Sequence, residues 1–230
     1  MAGGREIPAP QVGSRSYWIN RSIVRFLVAR FLRLTVEGRE HIPRNGGLLI
    51  VSNHLSIADP PLLATISPRP VTFMGKRELF RNPILGRIFT SWGVFPVRRG
   101  EVDIGAVRMA LGLLKSGAAI VLFPEGTRHR EGLGEALPGV GYFAARSGCS
   151  VLPVGIVGTE SIRNFLDIRF GPTVTVRFGE PFVVPKSSAG GGADLIMRHI
   201  AALLPKARRG RYDVTSLARD GASASASRGA

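Results

Sequence analysis

His54 and Asp59 are separated by four residues and follow an apolar run at residues 48–51. A short apolar run of this kind is typical of a buried strand. In α/β proteins, side chains at the carboxyl ends of strands line the ligand crevice. If a turn or helix begins after the strand, Asp59 can return to the imidazole, fix its tautomer and leave the other ring nitrogen as a base. The alternative is an ordinary surface pair or a helix cap.

Two further polar clusters follow predicted strands: Arg98-Arg99, and Phe-Pro-Glu-Gly-Thr-Arg at 123–128. Arginine binds phosphate oxygens through two parallel hydrogen bonds, so arginines at separate strand ends could hold one phosphate. Glu125 can bond a hydroxyl or hold an arginine, and Gly126 allows a ligand to approach the backbone closely. Either cluster alone could be surface charge or a turn. Together with the His/Asp pair, they suit activation of a hydroxyl on a phosphate-bearing substrate for attack on an acyl carbonyl.

Four sequence blocks, in order, resemble the lysophosphatidic acid acyltransferase family, part of the wider glycerolipid acyltransferases. They are Asn-His-x-Ser-x-x-Asp (the HX4D motif) at 53–59, Gly93 with Arg99, Phe-Pro-Glu-Gly-Thr-Arg at 123–128, and Val-Leu-Pro-Val at 151–154. The resemblance covers roughly residues 36–185. The first and third blocks carry it, because the other two are short. The chain departs from the family pattern after the third block, where Ala-Leu-Pro-Gly lacks the common lysine.

The resemblance implies a reaction and roles for individual residues. His54 would be the general base that takes the proton from the sn-2 hydroxyl of lysophosphatidic acid, and Asp59 would orient it. The hydroxyl would attack an acyl thioester directly. The residues implied in substrate binding are Lys76, Arg99, Glu125, Gly126, Thr127 and Arg128. No metal or resident cofactor is implied, and acyl-CoA or acyl-carrier protein would be the co-substrate. The same chemistry on glycerol-3-phosphate, another lysolipid or a glycolipid is the alternative.

The formal net charge of the chain is +15, with arginine dominant. Such a charge favours anionic partners: phosphate groups, nucleic acid or an anionic membrane surface. Nucleic acid is disfavoured because aromatic residues make up only 7% and do not alternate with the basic runs. A non-enzymatic basic protein that binds membranes or nucleic acid is the competing class. The single cysteine, Cys149, excludes an internal disulfide and favours a reducing compartment. With lipid substrates, the expected location is peripheral, on the cytoplasmic face of the cell membrane.

Predicted strands alternate with predicted helices, which indicates an α/β fold. The family resemblance implies more specifically a layered mixed sheet flanked by helices, glycerol-3-phosphate acyltransferase-like. The expected segments are a disordered N-terminus at 1–14, an amphipathic helix at 15–35, an acyltransferase domain at 36–205 and a disordered basic tail at 206–230.

The helix predicted at 15–35 gathers large apolar side chains on one broad face and most of its arginines on the other. It is interrupted by arginines too often to span a bilayer, which takes about 20 mostly apolar residues. One interpretation is contact with an anionic membrane surface. The other is a helix packed on the domain with a solvated basic side.

Overall fold

The computed structural model describes residues 10, 12–98, 103–137, 139–188 and 190–212. The helices are α1 (Arg15–Phe31), α2 (Asp59–Ile66), α3 (Pro83–Ser91), α4 (Ile104–Lys115), α5 (Gly139–Ser147) and α6 (Gly192–Ala202). The strands are β1 (Arg33–Glu37), β2 (Leu48–Ser52), β3 (Val71–Lys76), β4 (Val94–Val97), β5 (Ala119–Leu122), β6 (Ser150–Val157) and β7 (Thr173–Phe178). Short 3₁₀ helices connect several of these elements.

The seven described strands form one sheet in the order β1-β7-β6-β2-β5-β3-β4. Five neighbouring strands, from β6 to β4, run parallel to one another. β7 is antiparallel to β6, and β1 is parallel to β7. The predicted mixed sheet with flanking helices is therefore confirmed. The five parallel strands all end at the same edge, which we call the carboxyl edge, so the segments that follow them are brought together there.

The sheet is covered on both faces. Leu49 and Val51 of β2 pack on the side of α4, α5 and α6, whereas Leu48 and Ile50 pack on the side of α1 and α2. All five residues of β2 are buried. A parallel strand buried on both faces has to be apolar throughout rather than alternating. The apolar run before His54 thus gives a rigid central strand that ends at the carboxyl edge.

The helix predicted at 15–35 is wrong at its end, because α1 stops at Phe31 and β1 begins at Arg33. β1 pairs in parallel register with β7 and alternates between exposed and half-buried positions. Leu34 extends the helical pattern of α1, but it also fits the alternation of a strand with Val36. The first strand of the sheet therefore lies across the boundary that was predicted at residue 36.

α1 contacts the domain through a side that contains Tyr17, Arg21 and Val28. Arg21 donates to Ala64 O at 2.9 Å and to Ser67 O at 2.6 Å, at the C-terminal end of α2. The buried Tyr17 accepts a hydrogen bond at its hydroxyl from Val71 N at 3.0 Å. Guanidinium groups satisfy the last carbonyls of a helix well. The apolar face points away from the domain, with Ile19, Ile23 and Phe26 all more than half exposed; these three residues are called the α1 apolar face below.

The tail predicted to be disordered from residue 206 is folded as far as residue 212. Tyr212 is buried in the core beside α6, and Leu133 N donates to Arg208 O at 2.9 Å. Residues 213–230 lie outside the described residues, as does most of the segment predicted to be disordered at the N-terminus. From that segment, Ser14 caps α1 by accepting from Tyr17 N at 3.2 Å. Within the described ranges, no helix combines the length and apolar character needed to cross a bilayer.

Candidate active site

The loop between β2 and α2 brings Asp59 back to His54. His54 Nδ1 lies 2.8 Å from Asp59 Oδ2, and the Asp59 side chain is fully buried. The same oxygen accepts the backbone N–H groups of Leu55 at 2.7 Å and Ser56 at 2.8 Å. An oxygen that already receives two N–H donors is well prepared to accept a third from the imidazole. The tautomer with the proton on Nδ1 follows, and Nε2 is then the basic nitrogen.

The imidazole of His54 is held by its surroundings. Its side chain is 15% exposed, and its ring stacks on Phe123 with 4.1 Å between centroids and 23° between planes. Nε2 makes no hydrogen bond to any residue in the described part of the chain. The ring is therefore fixed by one nitrogen and one face, and the second nitrogen can take a proton from a substrate.

The loop after β5 and the strand β6 hold the His54 loop in place. The backbone N–H of His54 donates to Glu125 Oε2 at 2.7 Å, and its carbonyl accepts from His129 N at 2.8 Å. The side-chain amide of Asn53 bonds both backbone groups of Ile156 in β6, at 2.8 and 2.9 Å. The position of His54 thus depends on segments about 70 and 100 residues further along the chain.

Glu125 is a buried carboxyl group, with only 4% of the residue exposed. Its second oxygen, Oε1, accepts from Gly134 N at 2.7 Å. Burial raises the pKa of Glu125 from 4.5 to about 7, although the hydrogen bonds from Gly134 and His54 act in the opposite direction. Each oxygen of Glu125 therefore accepts one backbone N–H group, and its contact with substrate stays a prediction.

Gly126 follows Glu125 in a left-handed turn with φ of +66°. A Cβ atom here would also lie 2.6 Å from the side chain of Leu137. The turn therefore favours glycine on conformational grounds, independent of any ligand.

The other predicted substrate-binding residues occupy the same edge. Lys76 ends β3, and Thr127 and Arg128 follow β5; all three are exposed. Since β5 lies between β2 and β3, the end of β3 is two strand spacings, about 10 Å, from the end of β2. Arg99 lies outside the described residues. Its neighbour Arg98 donates its backbone N–H to Asp103 Oδ2 at 3.0 Å.

The sequence interpretation missed Thr159. Its hydroxyl donates to Asp59 Oδ1 at 2.6 Å, and Thr159 is fully buried. Thr159 follows β6, another strand that ends at the carboxyl edge. The signal that could have indicated it is the Gly158-Thr159 pair directly after a predicted strand. Among the described residues, no group of three His, Cys, Asp or Glu side chains is placed to hold a metal ion.

Glu125 is expected to make the free energy of unfolding depend on pH. Between about pH 4.5 and 7, the folded chain holds a proton on Glu125 that the unfolded chain releases. Stability therefore falls as pH rises through this window, by roughly 3 kcal/mol over the whole shift. We expect Glu125→Gln to flatten the dependence in denaturant unfolding measured from pH 4.5 to 8.

A matched control is Glu135→Gln, because Glu135 is exposed and pairs with Arg211 at the surface. This variant should retain the slope of the parent protein. An equally steep slope in Glu125→Gln would show that the dependence comes from another group. Comparison of slopes, rather than of absolute stabilities, separates this effect from the loss of one backbone hydrogen bond.

The chain is similar to a known protein family. The family model described as Acyltransferase matches residues 33–157, which include His54, Asp59 and Glu125. The chain is 33% identical over 136 residues to the chloroplastic 1-acyl-sn-glycerol-3-phosphate acyltransferase LPAT1 of Arabidopsis thaliana, covering 57% of this chain and 38% of that protein. It is 29% identical over 140 residues to the 1-acyl-sn-glycerol-3-phosphate acyltransferase of Borreliella burgdorferi, covering 59% of this chain and 56% of that protein.

A solved structure shares the fold. It is the crystal structure of the 1-acyl-sn-glycerophosphate (LPA) acyltransferase PlsC from Thermotoga maritima, with a TM-score of 0.60 and 24% sequence identity. The match covers 87% of this chain and 86% of that chain. The matched regions span 38% and 56% of the length of the two curated relatives. Because the family model matches more than half of the chain, including its His/Asp pair, the chain belongs to the Acyltransferase family.

Proposed function

We propose that this protein transfers a fatty acyl group from a thioester donor to the sn-2 hydroxyl of lysophosphatidic acid, which gives phosphatidic acid. The observation that carries the proposal is the hydrogen bond of 2.8 Å between His54 Nδ1 and the buried Asp59, at the edge where five parallel strands end. The names of the curated relatives support this acceptor. The basic net charge supports a phosphate-bearing substrate.

In the proposed reaction, His54 Nε2 takes the proton from the sn-2 hydroxyl as its oxygen attacks the thioester carbonyl carbon. The carbon–sulfur bond then breaks, and the thiolate takes the proton from the imidazolium and leaves as a thiol. Asp59 stabilises the imidazolium while it carries the positive charge. No acyl-enzyme is formed, because the hydroxyl itself is the nucleophile. One group therefore serves first as the general base and then as the general acid.

The acceptor phosphate is proposed to lie near the exposed ends of β5 and β3. Arg128 and Lys76 are at these ends, and Thr127 can add a hydroxyl donor. Arg99 follows β4, the next strand along, and is retained as a proposed ligand. This arrangement sets the phosphate to one side of His54, as a glycerol backbone requires when its neighbouring hydroxyl is to react. Glu125 and Gly126 support the site by shaping its backbone.

One assay tests the proposal. Purified protein is incubated with lysophosphatidic acid and either acyl-CoA or acyl-carrier protein, and release of free thiol and formation of phosphatidic acid are both measured. Both donors are anionic, so the basic surface suits either. Glycerol-3-phosphate, a neutral lysolipid and a glycolipid serve as competing acceptors. Equal or faster transfer to one of these would reassign the acceptor, and no transfer from either donor would refute the enzymatic proposal.

The proposed location is the cytoplasmic face of the cell membrane, with peripheral attachment. The α1 apolar face offers large side chains to lipid, and Arg25 and Arg30 on the same helix are exposed for anionic headgroups. α3 lies next to α1, with Asn20 Nδ2 2.9 Å from Ser91 Oγ, and it exposes Ile84, Leu85 and Ile88. α1 ends beside the start of β7, at the carboxyl edge. Contact through this surface would bring the lipid acceptor close to His54.

The double variant Ile23→Glu with Phe26→Glu is expected to weaken binding to anionic vesicles by about 100-fold or more. The two side chains are 54% and 66% exposed, so their removal leaves the packing on α2 intact. Burial of such side chains is worth roughly 1.5–3 kcal/mol each. The measurement is vesicle co-sedimentation across a lipid titration.

Val183→Glu is the matched control for this experiment. Val183 is 56% exposed, but it follows Phe182, which bridges to Val151 at the start of β6, the opposite edge of the sheet. Undiminished binding of the double variant would place the membrane contact elsewhere. Equal losses in the double variant and in the control would indicate a general effect of added negative charge.

A further inference from the structure

We infer that Thr159 is a positioning residue of the active site, which holds Asp59 in the orientation that His54 needs. The predicted effect on kcat rests on the proposed acyl transfer. The hydrogen bond between Thr159 and Asp59 is observed independently of that proposal. Thr159 lies after β6, outside the four sequence blocks of the family resemblance. Its hydroxyl acts through Asp59 and is fully buried, so it is not placed to contact substrate.

The two carboxylate oxygens of Asp59 have different environments. Oδ2 receives His54 Nδ1 and the backbone N–H groups of Leu55 and Ser56, at 2.7–2.8 Å. Oδ1 receives the Thr159 hydroxyl at 2.6 Å, and no other hydrogen bond to it is found within the described residues. A carboxyl group can rotate about its terminal torsion over a broad range. The short bond from Thr159 opposes that rotation and keeps Oδ2 directed at the imidazole.

The Thr159 hydroxyl is itself held in place by the turn that carries it. Gly158 has φ of +99°, and a Cβ atom there would lie 2.0 Å from Thr173 O, so the turn requires glycine. Gly158 N donates to Glu160 Oε2 at 2.7 Å, and the other oxygen of Glu160 accepts from Arg208 Nη2 at 2.7 Å. The turn is thus fastened to the folded part of the C-terminal segment.

A second bond joins the same turn to the His54 loop. The buried hydroxyl of Ser56 donates to Ile162 O at 2.5 Å. The turn at 158–162 therefore holds the loop at two side chains, the hydroxyl of Ser56 and the carboxylate of Asp59. Loss of the Thr159 hydroxyl alone would leave the loop in place and free only Oδ1 of Asp59, so that the carboxylate is held through Oδ2 alone. This separation makes the role of Thr159 testable without dismantling the site.

The test is a graded series at position 159, with kinetics and NMR as readouts. Thr159→Ser keeps the hydroxyl, Thr159→Cys provides a weak donor of similar size, and Thr159→Val removes the donor. We expect kcat to fall by about 10- to 100-fold in the valine variant, because a hydrogen bond to a charged group is lost. The serine variant should retain most of the activity, and the cysteine variant should lie between them. The acceptor KM should change by less than about twofold, since the substrate is not contacted.

Thr72→Val is the matched control, because Thr72 is also fully buried and its hydroxyl has no hydrogen-bond partner in the described structure. This variant should keep full kcat. The NMR resonance of the His54 Nδ1 proton should move or broaden in Thr159→Val and remain unchanged in Thr72→Val. This signal does not need turnover, so it tests the positioning role even if the parent protein fails to transfer acyl groups.

Three results would overturn the inference. They are full kcat in a folded valine variant, an unchanged His54 proton resonance in that variant, and equal losses of activity at positions 159 and 72. If Thr159→Val does not fold, the kcat values of the serine and cysteine variants test the inference instead. A cysteine variant as active as the serine variant would reject the positioning role of Thr159.

Discussion

Replacement of His54 by alanine is expected to lower kcat for acyl transfer by about 10³- to 10⁴-fold, because the imidazole would serve as both general base and general acid. Asp59 would then lose one of the three donors on its Oδ2 atom, but it would keep the two backbone N–H groups and the Thr159 hydroxyl. The fold should therefore survive. The measurement is thiol release from the acyl donor at saturating lysophosphatidic acid, with circular dichroism as the test of folding.

His54→Asn separates the loss of the basic nitrogen from the loss of the hydrogen bond to Asp59. The asparagine amide group can donate to Asp59 from a position near that of Nδ1, but it has no basic nitrogen. We expect this variant to be as stable as the parent protein and as inactive as His54→Ala. If either folded variant kept a tenth of the parent activity, His54 could not be the base. The proposed mechanism would then have to be abandoned.

The second large effect is expected at Asp59. In Asp59→Asn, the amide oxygen should replace Oδ2, because Leu55, Ser56 and His54 all direct N–H groups at that position. The amide nitrogen would then face Thr159, whose hydroxyl can accept as well as donate. The hydrogen bonds are thus preserved and only the negative charge is lost. We expect kcat to fall by about 10²- to 10⁴-fold, because the imidazolium loses its counter-charge.

The acceptor KM of Asp59→Asn should remain close to the parent value, because Asp59 is fully buried. Asp194→Asn is a suitable control, since Asp194 forms an exposed ion pair with Arg198 on α6. It should have parent kinetics. A loss of less than tenfold in Asp59→Asn, in a folded protein, would mean that the charge of Asp59 contributes little to the reaction.

Much of the architecture could be predicted from short-range patterns. The apolar run before His54 indicated a central strand, and the spacing to Asp59 allowed the return of the carboxylate that is observed. The capping residue Asp103 was also predictable, because an acidic residue before a helical apolar pattern is a common helix start. These features depend on residues that are close in the chain, which is where sequence patterns carry most information.

The features that were missed depend on distant partners. The first three residues of β1 fall within the helix predicted at 15–35, because only the pairing with β7 distinguishes this segment from helical periodicity. The segment at 206–212 falls within the tail predicted to be disordered, although Arg208 bonds Glu160 and Tyr212 is buried in the core. The backbone N–H groups of His54 and Gly134 that bond Glu125 are a further feature that its sequence neighbours do not reveal.

The connections of the His54 loop have a consequence for the order of biosynthesis. Asn53 bonds Ile156, and Asp59 bonds Thr159, so each pair closes a loop of about 100 residues. Closing such loops costs conformational entropy that local contacts do not offset. Long-range pairing is therefore a slow part of folding. A growing chain on the ribosome therefore contains both His54 and Asp59 long before Asn53 and Asp59 can bond their distant partners. We therefore expect activity only after the turn at 158–162 has emerged from the ribosome and packed against the His54 loop.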